Sequence, residues 1–217
     1  MTHPSLSTDR PSTGRELALL ISGASGMVLA KRLAQMVLEH AALDVMHLVV
    51  TPPAAQVLSL ELGADWASAS RFRDQLQAAR DTRTAIEIWS NDDLGAPIAS
   101  GSHPLLGTVV LPCSAGTAGA VANGISRGLL QRAADVALKQ RWPLILGIRE
   151  SPMSEILLEN LLRLARAGAT IVPPLPAFYL APDVQTAYED FIDHYCLRVL
   201  DLLGIRIDRQ DLRWRSP

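Results

Sequence analysis

Hydrophobic periodicity changes character along this chain, from short continuous apolar runs to apolar residues spaced along one helix face, and back again. "ELALLI" (16–21) suits a sheet interior, whereas "MVLAKRLAQMVLEH" (27–40) carries its apolar residues at helical spacing. Strand-like "LDVMHLVVT" and helical "AAQVLSLEL" follow. Residues 63–84 fit no single pattern, with a helix predicted around "SRFRDQLQAAR". "AIEIW" and "GTVVLP" read as strands separated by the loop "SNDDLGAPIASGSHPLL". Then come helix "GLLQRAADVALKQR", strand "PLILGI", helix "SEILLENLLRLARAG", strand "TIVP" and a last helix over 184–203. Parallel strands need crossover connections, and strands alternating with helices supply them. The pattern therefore predicts an α/β protein with a parallel sheet covered by helices on both faces.

A chain of 217 residues fits one medium domain with a single sizeable core. The expected division is a loose N-terminal tail (1–15, polar, with two prolines), a single domain (16–205) and a C-terminal tail (206–217). The formal net charge of -2 leaves no electrostatic footprint for nucleic acid or an anionic membrane. No apolar run approaches the roughly 20 residues of a spanning helix, and the start lacks the apolar core of a signal peptide. Two cysteines, Cys113 and Cys196, make neither a disulfide framework nor a metal quartet. The five histidines lie far apart, without the i, i+4 spacing of a helical zinc site. No metal ligands are predicted, and the cytoplasm is the expected compartment.

In open parallel sheets, ligands bind beyond the carboxyl ends of the strands. The segments there are "SGASG" (22–26), Thr51, "CSAGT" (113–117), Arg149-Glu150 and "PPLPAFY" (173–179). "SGASG" joins a strand to a helix with small residues that let backbone N–H groups approach a phosphate. It is neither the dinucleotide GxGxxG nor a P-loop, and a plain tight turn explains it about as well. A second small hydroxylated segment, "CSAGT", tilts the reading toward a phosphorylated ligand. Cys113 itself reads as a small buried hydrophobe, since no histidine lies beside it in sequence. Ser151 suits a helix N-cap with Pro152 at the first helical position, which gives Glu150 a role at that terminus. It does not explain a cation, Arg149, at the mouth of the sheet.

Arg132 and Lys139 share a helix face about 10 Å apart, with Asp135 between them. On spacing alone an exposed ion-pair ladder is the preferred reading. In the last helix Tyr188, Phe191, Tyr195, Arg198 and Leu202 form an expected buried seam. Arg198 would then need an anion or carbonyl partner among aromatics, unless it snorkels to solvent at the seam's edge.

These blocks, in order, resemble the flavin prenyltransferases, the UbiX-like branch of the flavoprotein superfamily. The resemblance runs from Ile21 to about Trp214 through "SGASG", "APIASGS", "LPCSAGT", the long block from "LLQRAADVALKQRW" to "VPPLPAFY", and "RVLDLLGI". It implies a Rossmann-like (flavodoxin-like) fold and a homo-oligomer, usually a dodecamer. It also implies an enzyme that joins a dimethylallyl group from dimethylallyl monophosphate to reduced FMN without a metal. The product, prenylated FMN, serves UbiD-type decarboxylases. By position, Gly23, Ala24, Ser25, Thr51, Ser114, Ala115, Gly116, Thr117 and Arg149 would hold FMN. Arg132, Lys139, Tyr179 and Arg198 would hold the prenyl phosphate, with Trp214 closing over it. Glu150, Lys139 and Ser25 would be catalytic, with Glu150 assisting proton transfer. The chain departs from the family pattern at Leu29, at Thr51-Pro52-Pro53, at Arg127-Gly128 and at Leu157. The departures keep open a non-catalytic protein that binds or delivers the flavin. A flavin-dependent cysteine decarboxylase is the other alternative, disfavoured by Gly116 where that branch carries asparagine.

Overall fold

The computed structural model describes residues 15–79, 83–178 and 187–213. Its centre is a six-stranded parallel sheet in the order β3-β2-β1-β4-β5-β6. The strands are β1 (Glu16–Ile21), β2 (Val45–Val50), β3 (Ala85–Trp89), β4 (Gly107–Cys113), β5 (Leu144–Ile148) and β6 (Thr170–Ile171). β1 pairs along its whole length with β2, from Glu16 opposite Val45 to Ile21 opposite Val50. Every residue of β4 is buried, the continuous apolar run expected of a strand covered on both faces.

Alternation along β1 divides the core. Leu17, Leu19 and Ile21 face one layer, built from α1 (Met27–His40), α2 (Pro52–Leu62), α3 (Ala69–Ala78) and α7 (Ala187–Leu202). Ala18 and Leu20 face the other, built from α4 (Ala115–Ala122), α5 (Leu129–Gln140) and α6 (Glu155–Ala167). The strand order turns back between β1 and β4, whose successors leave in opposite directions. That switch point is where an open α/β sheet leaves a crevice.

The sequence-based expectations need five corrections. No helix is predicted between "GTVVLP" and "GLLQRAADVALKQR", yet residues 115–117 are the first turn of α4, because Ser114 caps a helix there. Ser151 is not a helix cap. α6 starts at Glu155 behind Ser154, whose Oγ accepts from the Leu157 N–H at 3.2 Å. Both serines suit a cap by type, but only Ser154 places core Leu157 at the third helical position. β6 is only two residues long, since Pro173 and Pro174 follow almost at once and cannot donate to a ladder. The seam of α7 is also rotated. Ile192, Tyr195, Cys196, Val199, Leu200 and Leu203 are buried, while Tyr188 is 61% exposed and the Arg198 side chain 57%. Tyr195 fixes the face, its hydroxyl donating to Val172 O at 2.8 Å, and Cys196 packs against Leu29 of α1. Arg198 falls outside, beside Asp201 at 3.4 Å. The start of the C-terminal tail is packed too: Ile207 and Leu212 join the core.

Candidate functional site

Four adjacent strands, β2, β1, β4 and β5, deliver their successors to one rim of the sheet. The loop after β1 and the start of α4 are stitched together there. Ser22 Oγ donates to Pro112 O at 2.9 Å and accepts the Ser114 N–H at 2.8 Å. Ser114 Oγ in turn accepts from Thr117 N–H at 3.2 Å and donates to Thr117 Oγ1 at 3.0 Å. Thr51, bonded to Ile21 O through its N–H at 3.1 Å, caps α2 by accepting from Ala54 N–H. From β5, Arg149 leans back across the rim, and its Nε donates to Ser25 O at 3.3 Å. The segment 22–26, Thr51, residues 114–117 and Arg149 are thus brought to one place, as expected of a ligand mouth.

Two glycines shape that mouth. A Cβ at Gly23 would come within 2.5 Å of Pro53 Cβ, so the first loop can lie on the amino end of α2 only as glycine. Pro52 and Pro53, which depart from the family pattern, belong to this packing; as the first two residues of α2 they lose no helical hydrogen bond. A Cβ at Gly116 would meet nothing within 4 Å, which leaves room at the amino end of α4, where backbone N–H groups and the helix dipole favour an anion.

The amino end of α1 differs. Glu61, in the last turn of α2, accepts from Gly26 N–H (3.0 and 3.1 Å) and Met27 N–H (2.8 Å). An internal carboxylate therefore sits where the sequence suggested a phosphate, which narrows the expected ligand contacts of "SGASG" to residues 23–25. Glu61 lies ten residues beyond Thr51, and only the path of α2 brings it to this rim. Glu150 is exposed beside Arg149, and its Oε1 accepts from Ser151 N–H at 3.1 Å. Cys113 is fully buried, and burial pushes its thiol up to about 12, which removes it as a thiolate nucleophile.

The cations expected around a prenyl phosphate are not gathered within one chain. Arg132 lies on α5, where Nε donates to Ala99 O at 3.1 Å and Nη1 pairs with Asp135 at 3.0 Å, one rung of the expected ladder. Lys139 is exposed in the last turn of the same helix. Arg198 is on α7, across the sheet, at a cleft lined by Asp201, Arg206, Asp208 and Arg213. There Arg213 forks onto Asp201 at 2.7 and 2.9 Å and holds that carboxyl below the ordinary aspartate range, against the raising effect of burial. Tyr179 and Trp214 lie outside the described residues. Elsewhere, His47 and His103, distant in sequence, meet at Glu16.

The flavoprotein family profile matches residues 5–193. The flavin prenyltransferase UbiX of Methanocaldococcus jannaschii is 38% identical over 190 residues, covering 88% of this chain and 94% of that protein. That of Escherichia coli K12 is 37% identical over 204 residues, covering 93% and 99%. Among solved structures, a dodecameric FMN-dependent UbiX-like decarboxylase from Escherichia coli O157:H7 superposes with a TM-score of 0.78 at 35% identity, covering 93% of this chain and all (100%) of the other. AnUbiX in complex with FMN and dimethylallyl pyrophosphate gives 0.77 at 35% identity, covering 94% and 98%. The cysteine decarboxylases TvaF and EpiD, at 18% and 15% identity, share the fold alone. With the strand order, the rim and the near full-length likeness all in agreement, this chain belongs to the flavin prenyltransferase (UbiX) family of flavoproteins.

Proposed function

We propose that the protein joins a dimethylallyl group from dimethylallyl (mono)phosphate to reduced FMN, giving prenylated FMN for a UbiD-type decarboxylase. The observation that carries this reading is the rim itself, where Ser22 ties the first loop to the open, glycine-bearing amino end of α4 while Arg149 crosses above. That mouth suits an anionic flavin nucleotide: small residues admit it, a helix end and a guanidinium favour its charge, and the thiol within reach is inert. Bound reduced FMN supplies the electron-rich ring whose N5 and C6 accept the prenyl group. Gly23, Ala24, Ser25, Thr51, Ser114, Ala115, Gly116, Thr117 and Arg149 are the residues to hold it.

Release of phosphate from an allylic carbon puts charge on the leaving oxygen, which Arg132, Lys139 and Arg198 stabilise together with Ser25 and Tyr179. Arg198 lies across the sheet from Arg132 and Lys139, so this reading requires a site completed between subunits of a homo-oligomer, a dodecamer by likeness to its relative. Glu150 stands exposed at the rim as the proton acceptor, and Trp214, outside the described residues, is the one the family resemblance assigns to closing over the site. The domain proposed to do this is 16–205, with the start of the 206–217 tail packed onto it through Ile207 and Leu212, and the expected compartment is the cytoplasm, in keeping with two free cysteines.

The test is anaerobic incubation with reduced FMN and dimethylallyl monophosphate, followed by the mass of the extracted flavin. A gain of one prenyl unit is expected, and it is expected to vanish in Glu150→Gln and Lys139→Ala while FMN stays bound. Bound but unmodified flavin with the wild-type protein would instead indicate a carrier. Turnover of a cysteine-terminated peptide would indicate a decarboxylase.

A further inference from the structure

At the amino end of the sheet, away from the flavin rim, three side chains converge. Glu16 opens β1, His47 sits in β2 on the same face as Ala18 and Glu16, and His103 comes from the loop before β4. Glu16 Oε2 lies 2.7 Å from His47 Nε2 and 2.7 Å from His103 Nε2. The three atoms all lie within 4.8 Å of one another, the one such histidine–carboxylate group among the described residues. The imidazoles meet edge to face, with ring centroids 5.6 Å apart, so both Nε2 edges address one point. His47 is only 2% exposed, whereas Glu16 and His103 are 25% and 32% exposed and open that point to solvent.

We propose that Glu16, His47 and His103 form a binding site for a borderline divalent transition ion of the Zn²⁺, Co²⁺ or Ni²⁺ class, with water completing the coordination. Two imidazoles and one carboxylate favour these ions over Mg²⁺ or Ca²⁺, which prefer all-oxygen ligands. Ligand atoms around a tetrahedral ion stand roughly 3.3 Å apart. The two contacts at Glu16 must therefore widen by about half an ångström, a movement open to the solvent-facing Glu16 and His103 while His47 stays fixed in the sheet.

The surroundings of His47 define two states. Trp89 Nε1–H donates to His47 Nδ1 at 3.0 Å, and since indole is a donor only, the proton of neutral His47 sits on Nε2 and points at Glu16. Metal binding needs the Nε2 lone pair. The proton then moves to Nδ1, where Glu87 Oε2 at 3.5 Å, opposite His47 in the register of β2 with β3, becomes its acceptor and the indole loses its partner. A carboxylate behind a ligating histidine orients the ring and raises its basicity. Trp89 and Glu87 thus compete for one nitrogen, and the ion decides between them.

The test uses tag-free, full-length protein freed of metal with a chelator. Co²⁺ titration is expected to give a saturable visible band at one ion per chain, displaced by Zn²⁺. Zn²⁺ at a hundredfold excess over its dissociation constant is expected to raise the thermal midpoint by roughly 5–10 °C and to change Trp89 emission. Both responses should disappear in Glu16→Gln and in His103→Ala, and both should persist in His40→Ala. His103 lies in a loop and Glu16→Gln keeps the side-chain shape, so circular dichroism should find these variants folded. Trp89→Phe, which removes the competing donor, should bind Zn²⁺ several-fold more tightly. Absence of the Co²⁺ band, or an equal band in the Glu16 and His103 variants, overturns the site.

Discussion

At the residue scale, the rim rests on positions where a single atom matters. Gly23 packs on Pro53 with no room for a Cβ, so Gly23→Ala must displace either the loop or the start of α2. Such overpacking costs about 1–3 kcal/mol. Fluorescence titration is expected to give an FMN affinity lower by about tenfold or more. Gly116→Ala, which meets open space, should leave folding unchanged; it is the natural comparison. Sequence inspection singles out both glycines as small residues, but it does not distinguish the one closed by backbone packing from the one that leaves space for a ligand. Glu61 escapes sequence inspection altogether, because an acid in a helix's last turn is unremarked until tertiary structure lays it on another helix's N–H groups.

At the element scale, local chemistry decides where helices begin. α1, α5 and α6 follow their predicted extents closely, because their apolar residues keep helical spacing and Gly168 stops α6 in the left-handed region at φ 107°. The competition between Ser151 and Ser154 is settled by burial, through Leu157. Ser154→Ala is accordingly expected to destabilise the protein by about 1 kcal/mol in urea unfolding, and Ser151→Ala by much less. α7 is the instructive miss. Aromatic residues suggested a seam through Arg198, yet the helix turned to bury Ile192, Cys196 and Val199. Two seams of similar spacing exist on one helix, and only its neighbours choose between them.

At the scale of the whole molecule, α7 and the packed start of the C-terminal tail are joined through Asp201, which Arg213 grips with two bonds and Arg198 approaches. The Arg213 bonds hold the Asp201 carboxyl below its ordinary 3.8 despite the raising effect of burial. Folding therefore favours the ionised form. The stabilisation is complete above the ordinary carboxylate range and is lost as pH falls through the lowered value. Asp201→Asn should cost about 1 kcal/mol at pH 7, after allowance for partial exposure, and the difference should vanish in strong acid. Urea unfolding of both proteins across that range checks the sign.

By itself the sequence determined the α/β class, the order of the strands and of every helix but α4, the segments that follow each strand, and the family, because periodicity and short motifs are local in the chain. Tertiary structure alone decided which face of α7 is buried, that Glu61 rather than a ligand caps α1, that Arg198 stands across the sheet from Arg132 and Lys139, and that Glu16, His47 and His103 meet. Each of these depends on distance between residues far apart along the chain, which packing sets and residue spacing does not encode.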